Sequence, residues 1–76
     1  SLDGERALEL ANYAMQRKAA SALEVLAAAQ SRVGDFDKAV QIQEQAVQLE
    51  RGAGHKQELA ERLELYRAKQ PYTRKK

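Results

Sequence analysis

Apolar residues recur at every third or fourth position along most of the chain, rather than at every second position as in a β-strand. Leu8, Ala11 and Met15 show this spacing near the N-terminus, and Leu59, Leu63 and Tyr66 show it near the C-terminus. Such a period is typical of amphipathic helices. Glycine and proline interrupt the pattern at 34, at 52–54 and at 71. The pattern predicts an all-α protein with helices over 4–17, 22–33, 36–51 and 56–69.

Helix-capping residues support these boundaries. Ser21 and Glu24 have the spacing of a capping box, which favours the start of the second helix at this point. Gly34 follows the last apolar residue of that helix, where a C-terminal cap with positive φ is common. Asp35 then stands at the N-cap of the third helix. Loops of about three residues make consecutive helices antiparallel neighbours, so we expect four helices in two stacked hairpins.

Composition limits what these helices can carry. The chain has 76 residues, no cysteine and one histidine. A disulfide is therefore excluded, and the four-ligand zinc site typical of small domains is not expected. No segment reaches the roughly 20 apolar residues of a membrane span. We predict no metal and no cofactor, while the lack of cysteine leaves the compartment open, with a slight preference for the cytoplasm.

Charge is balanced except at the C-terminus. The chain carries 13 basic and 11 acidic residues, and three of the basic ones are Arg74, Lys75 and Lys76. A nucleic-acid-binding face needs clustered basic residues, so the body of the chain does not predict one. Residues 73–76 are expected to form a disordered basic tail.

A repeat-like pattern joins the second and third predicted helices. It comprises a large apolar residue, a leucine with a small residue after it, a Gly-Asp-aromatic turn and two small residues seven positions apart: Leu23, Leu26, Ala27, Gly34-Asp35-Phe36, Ala39 and Ala46. Alanine at a helix crossing permits close approach, where a larger side chain would overpack. This pattern resembles the tetratricopeptide repeat (TPR). Gln43 departs from it, because a large apolar residue is common at that position.

The resemblance implies a right-handed α-α superhelix in one domain, 1–72. Residues 21–50 are similar to a full repeat, 4–17 to the second half of a preceding repeat, and 55–70 to the terminal capping helix of bacterial arrays. Such a piece implies a longer parent protein or self-association. Helix one would then expose a self-association seam, for which the candidates are Leu8, Leu10 and Tyr13.

TPR arrays bind peptides or helices in a groove lined by the first helix of each pair. The resemblance places the partner-binding candidates on the second and fourth predicted helices: Glu24, Ala28, Ser31, Arg32, Ala60, Glu64 and Arg67. We expect no clamp for a C-terminal carboxylate, because Glu24 and Ala28 stand where such relatives carry lysine and asparagine.

No catalytic set is predicted. His55 and Glu58 have i,i+3 spacing, but two ligands are too few for a metal, and a surface role at the start of a helix is favoured. As a general base, His55 would need a nucleophile, but Ser21 and Ser31 lie on another predicted helix. A capping role is the alternative interpretation of both serines. Gly52-Ala53-Gly54 lacks the lysine of a phosphate-binding loop. We therefore do not expect an enzyme.

Three functions stay open at this point. The first is a protein–protein interaction scaffold that binds a peptide or helix in the groove. The second is a structural element that self-associates as a homo-oligomer or packs in a larger TPR protein. The third is an adaptor that touches nucleic acid or an anionic surface through the basic tail, although three charges give only weak, salt-sensitive binding.

Overall fold

The computed structural model describes the chain from residue 2 to residue 72, and its side chains from residue 4. This part of the chain is all-α, as predicted. Its three helices are α1 (Leu2–Arg32), α2 (Phe36–Leu49) and α3 (Ala53–Arg67), and it contains no β-strand. The basic tail predicted at 73–76 lies outside the described residues.

The prediction of four helices is wrong at one place, because the first two predicted helices are a single helix of 31 residues. The connecting segment Arg17–Ala22 contains no glycine or proline and is rich in residues with high helix propensity. Ser21 and Glu24 therefore lie inside α1, and the capping box predicted for them does not form at a helix start. A serine inside a helix lowers helix stability only slightly. It therefore indicates a helix boundary only where glycine or proline also interrupts the helix.

The connection between α1 and α2 has the predicted chemistry, whereas the one between α2 and α3 lies earlier than predicted, because α3 begins at Ala53 and contains Gly54. Gly34 has φ of 88°, and the N–H of Asp35 donates to the Gln30 carbonyl oxygen at 2.9 Å, which is the bond pattern of a Schellman cap. The Asp35 side chain then accepts a hydrogen bond from the Lys38 N–H and caps α2. Each turn is three residues long, so α2 folds back on the C-terminal half of α1 and α3 folds back on α2.

Small residues form the core where the helices cross. Ala27 of α1 and Ala39 of α2 are fully buried and pack with Tyr66 of α3. Ala46, Leu59 and Leu63 are also buried, as their spacing predicted. Leu26 was assigned to the same apolar repeat as Ala27, but it is exposed, and so is Val33. The faces of α1 that α2 and α3 cover do not include these two side chains, which face away from the bundle.

The N-terminal half of α1 extends beyond the other helices. At 1.5 Å per residue α1 is about 46 Å long and α2 only about 21 Å. The chain accordingly measures 49 × 22 × 19 Å. Residues 4–12 are all exposed, and the first fully buried residue of α1 is Ala20. None of the three helices is long and apolar enough to cross a membrane.

Candidate binding groove between α1 and α3

Glu24 of α1 is the centre of the polar contacts between α1 and α3. One carboxylate oxygen accepts a 2.5 Å hydrogen bond from Arg62, and the other lies 3.1 Å from Nε2 of His55. The Glu24 side chain is only 11% exposed. Buried ion pairs with good hydrogen bonds are costly to break by removing one partner. This contact therefore fixes how α3 lies against α1.

A second carboxylate, Glu50, approaches the same histidine from the turn between α2 and α3. Its Oε1 accepts the Gly52 N–H at 2.9 Å, and its Oε2 lies 3.7 Å from Nε2 of His55. The Gly52 amide, followed by the charges of His55 and Arg17, lowers the pKa of Glu50 against an opposing effect of its burial. Glu58 lies 3.5 Å from Nδ1 of the same ring. His55 therefore has carboxylates near it from α1, from the turn before α3 and from α3 itself.

Tyr72 closes the far side of this region. Its ring lies 4.2 Å from the guanidinium carbon of Arg62, in the arrangement of a cation–π contact. Its main-chain N–H donates to Oγ of Ser31 at 3.4 Å, which ties the segment after α3 to the end of α1. Together these contacts bound an open cavity of about 490 Å³, here called the α1–α3 groove, whose lining is Ser21, Glu24, Val25, Ala28, Arg32, His55, Arg62 and Tyr72.

Arg32 is the cation of this groove that remains available. Among the described residues, no carboxylate lies within ion-pair distance of it, whereas Arg62 is already paired with Glu24. Val25 stands one turn before Ala28 on the same wall and is 68% exposed. The groove therefore offers an unpaired positive charge and, two helical turns away on the same wall, an exposed apolar side chain.

Three of the four predicted groove residues on α1 line the α1–α3 groove: Glu24, Ala28 and Arg32. Ser31 does not line it, because Ser31 is buried and its hydroxyl donates to the Ala28 carbonyl oxygen at 2.7 Å.

The three α3 candidates do not line this groove. Arg67 lies 2.6 Å from Glu64 and 3.9 Å from Glu44 of α2, and it lines a separate cavity of about 440 Å³ beside Phe36 and Val40. Glu64 is exposed at that side, and Ala60 is half-buried. The face of α3 that turns toward α1 instead carries His55 and Arg62.

Sequence reasoning missed His55, Arg62 and Tyr72 as groove residues. His55 and Arg62 are seven positions apart, which places them on one helix face two turns from each other. That spacing was a usable signal once His55 was assigned to α3. Tyr72 follows Pro71 outside any helix, and no periodicity could place it.

The seam candidates also lie on different faces. Leu8 and Leu10 are exposed by 66% and 65%, but they are about 160° apart around the helix. Tyr13 is half-buried, and its ring lies 5.9 Å from the guanidinium carbon of Arg17. The structure therefore does not join the three into one surface.

Among the described residues, no group of three or more histidine, aspartate or glutamate side chains has an arrangement that could hold a metal ion. Comparisons with models of protein families, with curated proteins and with solved structures find no match for the chain. The residues of the groove themselves must therefore carry the functional argument.

Proposed function

We propose that this chain is a protein-binding module whose α1–α3 groove takes an extended peptide or a helix from a partner protein. The observation that carries the proposal is the unpaired Arg32 together with the exposed Val25, two helical turns apart on the same wall of the groove. The remaining charged side chains of the groove are already paired with each other. A ligand with an acidic and an apolar residue separated by about 10 Å would satisfy both groups.

The arrangement supports binding more than chemistry. His55 faces carboxylates, and no serine or other nucleophile approaches its ring in the contacts described. An exposed charge such as that of Arg32 contributes to the specificity and the association rate of ligand binding more than to its affinity. The pattern of residues 21–50 that resembles a TPR supports the same class of function, since TPR grooves hold peptides.

A matched pair of charge reversals tests the groove. A displayed library of random ten-residue peptides would be selected against the chain, and the enriched peptides measured on Arg32→Glu and Arg67→Glu. We expect acidic peptides whose affinity falls at least tenfold with Arg32→Glu and stays within twofold with Arg67→Glu. Both arginines are exposed, so neither change should unfold the chain. Equal losses, or no enrichment of acidic peptides, would remove the α1–α3 groove as the binding site.

A second candidate function is a structural element that self-associates. It is favoured by the N-terminal half of α1, where Leu8 and Met15 are exposed by 66% and 69% without a helix to cover them. Sedimentation at several concentrations tests this alternative. A strict monomer up to high concentration would contradict it and leave the groove proposal untouched.

A further inference from the structure

An apolar stripe runs along nearly the whole length of α1 on its exposed side. At 100° per residue its members fall within about 80° of the helix circumference. Four are alanines and four are larger, and every one is exposed; the α1 stripe consists of Leu8, Ala11, Met15, Ala19, Ala22, Leu26, Ala29 and Val33, the last of which directly follows α1 and still bonds the Ala29 carbonyl oxygen through its N–H. None is charged or polar over a length of about 38 Å. α2 and α3 pack on other faces of the helix and leave this one uncovered.

The order of the side chains in the α1 stripe is nearly the same from either end. The midpoint lies between Ala20 and Ser21. Ala19 and Ala22 lie equally far from it on the two sides, as do Met15 and Leu26, and as do Leu8 and Val33. Ala11 and Ala29 differ from this symmetry by one position.

We propose that the α1 stripe is the contact surface for a second copy of this chain, with the two α1 helices antiparallel about a two-fold axis near Ala20 and Ser21. In a two-fold contact the same surface meets itself, so each residue must suit the residue at the equal distance from the axis. The α1 stripe meets this requirement. Alanine faces alanine near the axis, Met15 faces Leu26, and Leu8 faces Val33.

The repeat of the α1 stripe supports this pairing. Apolar spacings of three and four residues continue over more than three heptads, which is the pattern of paired helices. Alanines at the centre let the two axes approach closely, and the larger side chains fill the space on either side. Each copy keeps its own α2, α3 and α1–α3 groove, because these lie on other faces of α1.

The inference rests on the second proposed function and adds the face, the partner and the orientation.

The absence of cysteine makes a direct test simple, since every disulfide must come from an introduced residue. Chain carrying Ala11→Cys would be mixed with chain carrying Ala29→Cys under mild oxidation. In the proposed pair these two positions face each other, while identical positions are about 27 Å apart along the axis. We expect the mixed disulfide to form at least tenfold faster than either homodisulfide.

The control pair is Gln48→Cys with Gln57→Cys, on exposed positions of α2 and α3, for which we expect no preferred product. Homodisulfides from Ala11→Cys alone would overturn the antiparallel orientation. If the chain sediments as a dimer but shows no preference for the mixed disulfide, the α1 stripe is not the contact surface, although the chain self-associates. A monomer at all concentrations would overturn both.

Substitutions of exposed residues give an independent measurement. Met15→Asp should weaken dimerisation at least tenfold in sedimentation, with the helical circular dichroism unchanged. Leu10→Asp is the matched control, because Leu10 is equally exposed but lies on another face. If Leu10→Asp weakens the dimer and Met15→Asp does not, the contact surface is elsewhere on α1 and the proposal fails.

Discussion

The side-chain amide of Gln43 donates a 2.9 Å hydrogen bond to the main-chain carbonyl oxygen of Leu59 and is fully buried between α2 and α3. Its own Oε1 is buried with no hydrogen-bond partner among the described residues. The Leu59 carbonyl lies inside α3 and keeps its helical hydrogen bond if the amide is removed. Replacing Gln43 by an apolar side chain would therefore leave no buried polar group at this site without a hydrogen-bond partner.

The first prediction follows from this site. Gln43→Met keeps the volume and removes a buried unpaired acceptor, so it should leave the free energy of unfolding unchanged or raise it by about 1 kcal/mol. Gln43→Ala should lower it by about 2 kcal/mol or more, because it leaves a cavity at the crossing. Urea unfolding of the three chains measures both. A loss of similar size in both variants would mean that the hydrogen bond to Leu59 is needed for stability.

The second prediction concerns the crossing of α1 and α2. Ala39→Leu should destabilise the fold by about 1–3 kcal/mol, because Ala39 is fully buried against α1 and has no space for a larger side chain. Gln45→Leu places the same side chain on an exposed position of α2 and should change stability little. Thermal unfolding compares the two. An unshifted melting temperature for Ala39→Leu would contradict the close crossing.

The third prediction is a dependence on acid pH through Glu50. Its pKa in the folded chain is lowered, chiefly by the Gly52 amide. A group with a lowered folded pKa stabilises the fold above its unfolded pKa and loses that contribution as pH falls through the folded value. Stability should therefore begin to fall below about pH 4.5 and continue to fall at lower pH.

The variant Glu50→Gln isolates this contribution. It should be less stable than the parent chain at pH 7 and should show a smaller drop between pH 5 and pH 3. Urea unfolding at several pH values measures the difference. Parallel pH profiles for the parent chain and the variant would contradict the prediction, because they would mean that Glu50 binds protons equally well in the folded and the unfolded chain.

The fourth prediction compares the two helix ends that use a left-handed residue. Lys69 has φ of 58° at the end of α3, and its main-chain N–H bonds to the Tyr66 carbonyl oxygen. A lysine in this conformation costs roughly 1 kcal/mol relative to glycine, so Lys69→Gly should raise the free energy of unfolding by up to that amount.

Gly34→Ala is the opposite change at the end of α1. No atom would approach an added Cβ there within 4 Å, so only the positive φ opposes it. We expect a loss of about 1 kcal/mol. Chemical unfolding of both variants should show shifts of opposite sign. Shifts of the same sign would mean that the two caps are not equivalent.

The fifth prediction concerns the Tyr66 hydroxyl, which is buried close to the Ser31 side chain without reaching hydrogen-bond geometry to any described residue. Burial raises the pKa of Tyr66 above its ordinary value near 10, against a smaller opposing effect of the neighbouring Ser31. A raised folded pKa gives stability that is present below pH 10 and is lost as pH rises through the folded value. Tyr66→Phe should thus be neutral or stabilising at pH 7, and it should keep more of its stability than the parent chain between pH 10 and pH 11.

The sequence predicted the features that depend on local backbone chemistry. Gly34 and Asp35 were placed at the turn because few other residues suit a positive φ or an N-cap. Ala27, Ala39 and Ala46 were placed at close crossings because their spacing matches a repeat with small residues there. These features depend on one turn or one face of a helix, so a short segment contains the information.

The features that were missed depend on which helix covers which face. The segment from Arg17 to Ala22 contains no glycine or proline and is rich in residues with high helix propensity, so α1 continues through it although Ser21 and Glu24 have the spacing of a capping box. Leu26 and Ala27 are adjacent in the sequence, yet one is exposed and the other buried. The α3 candidates Ala60, Glu64 and Arg67 do not line the α1–α3 groove, because helical periodicity defines faces but not their neighbours.

The order in which the helices pack has a consequence for folding kinetics. α1 packs chiefly on α2, and α2 on α3, so most contacts join elements that are close along the chain. Chains with such low contact order form quickly, because few long loops must close before contacts stabilise them. We therefore expect refolding in the microsecond to millisecond range.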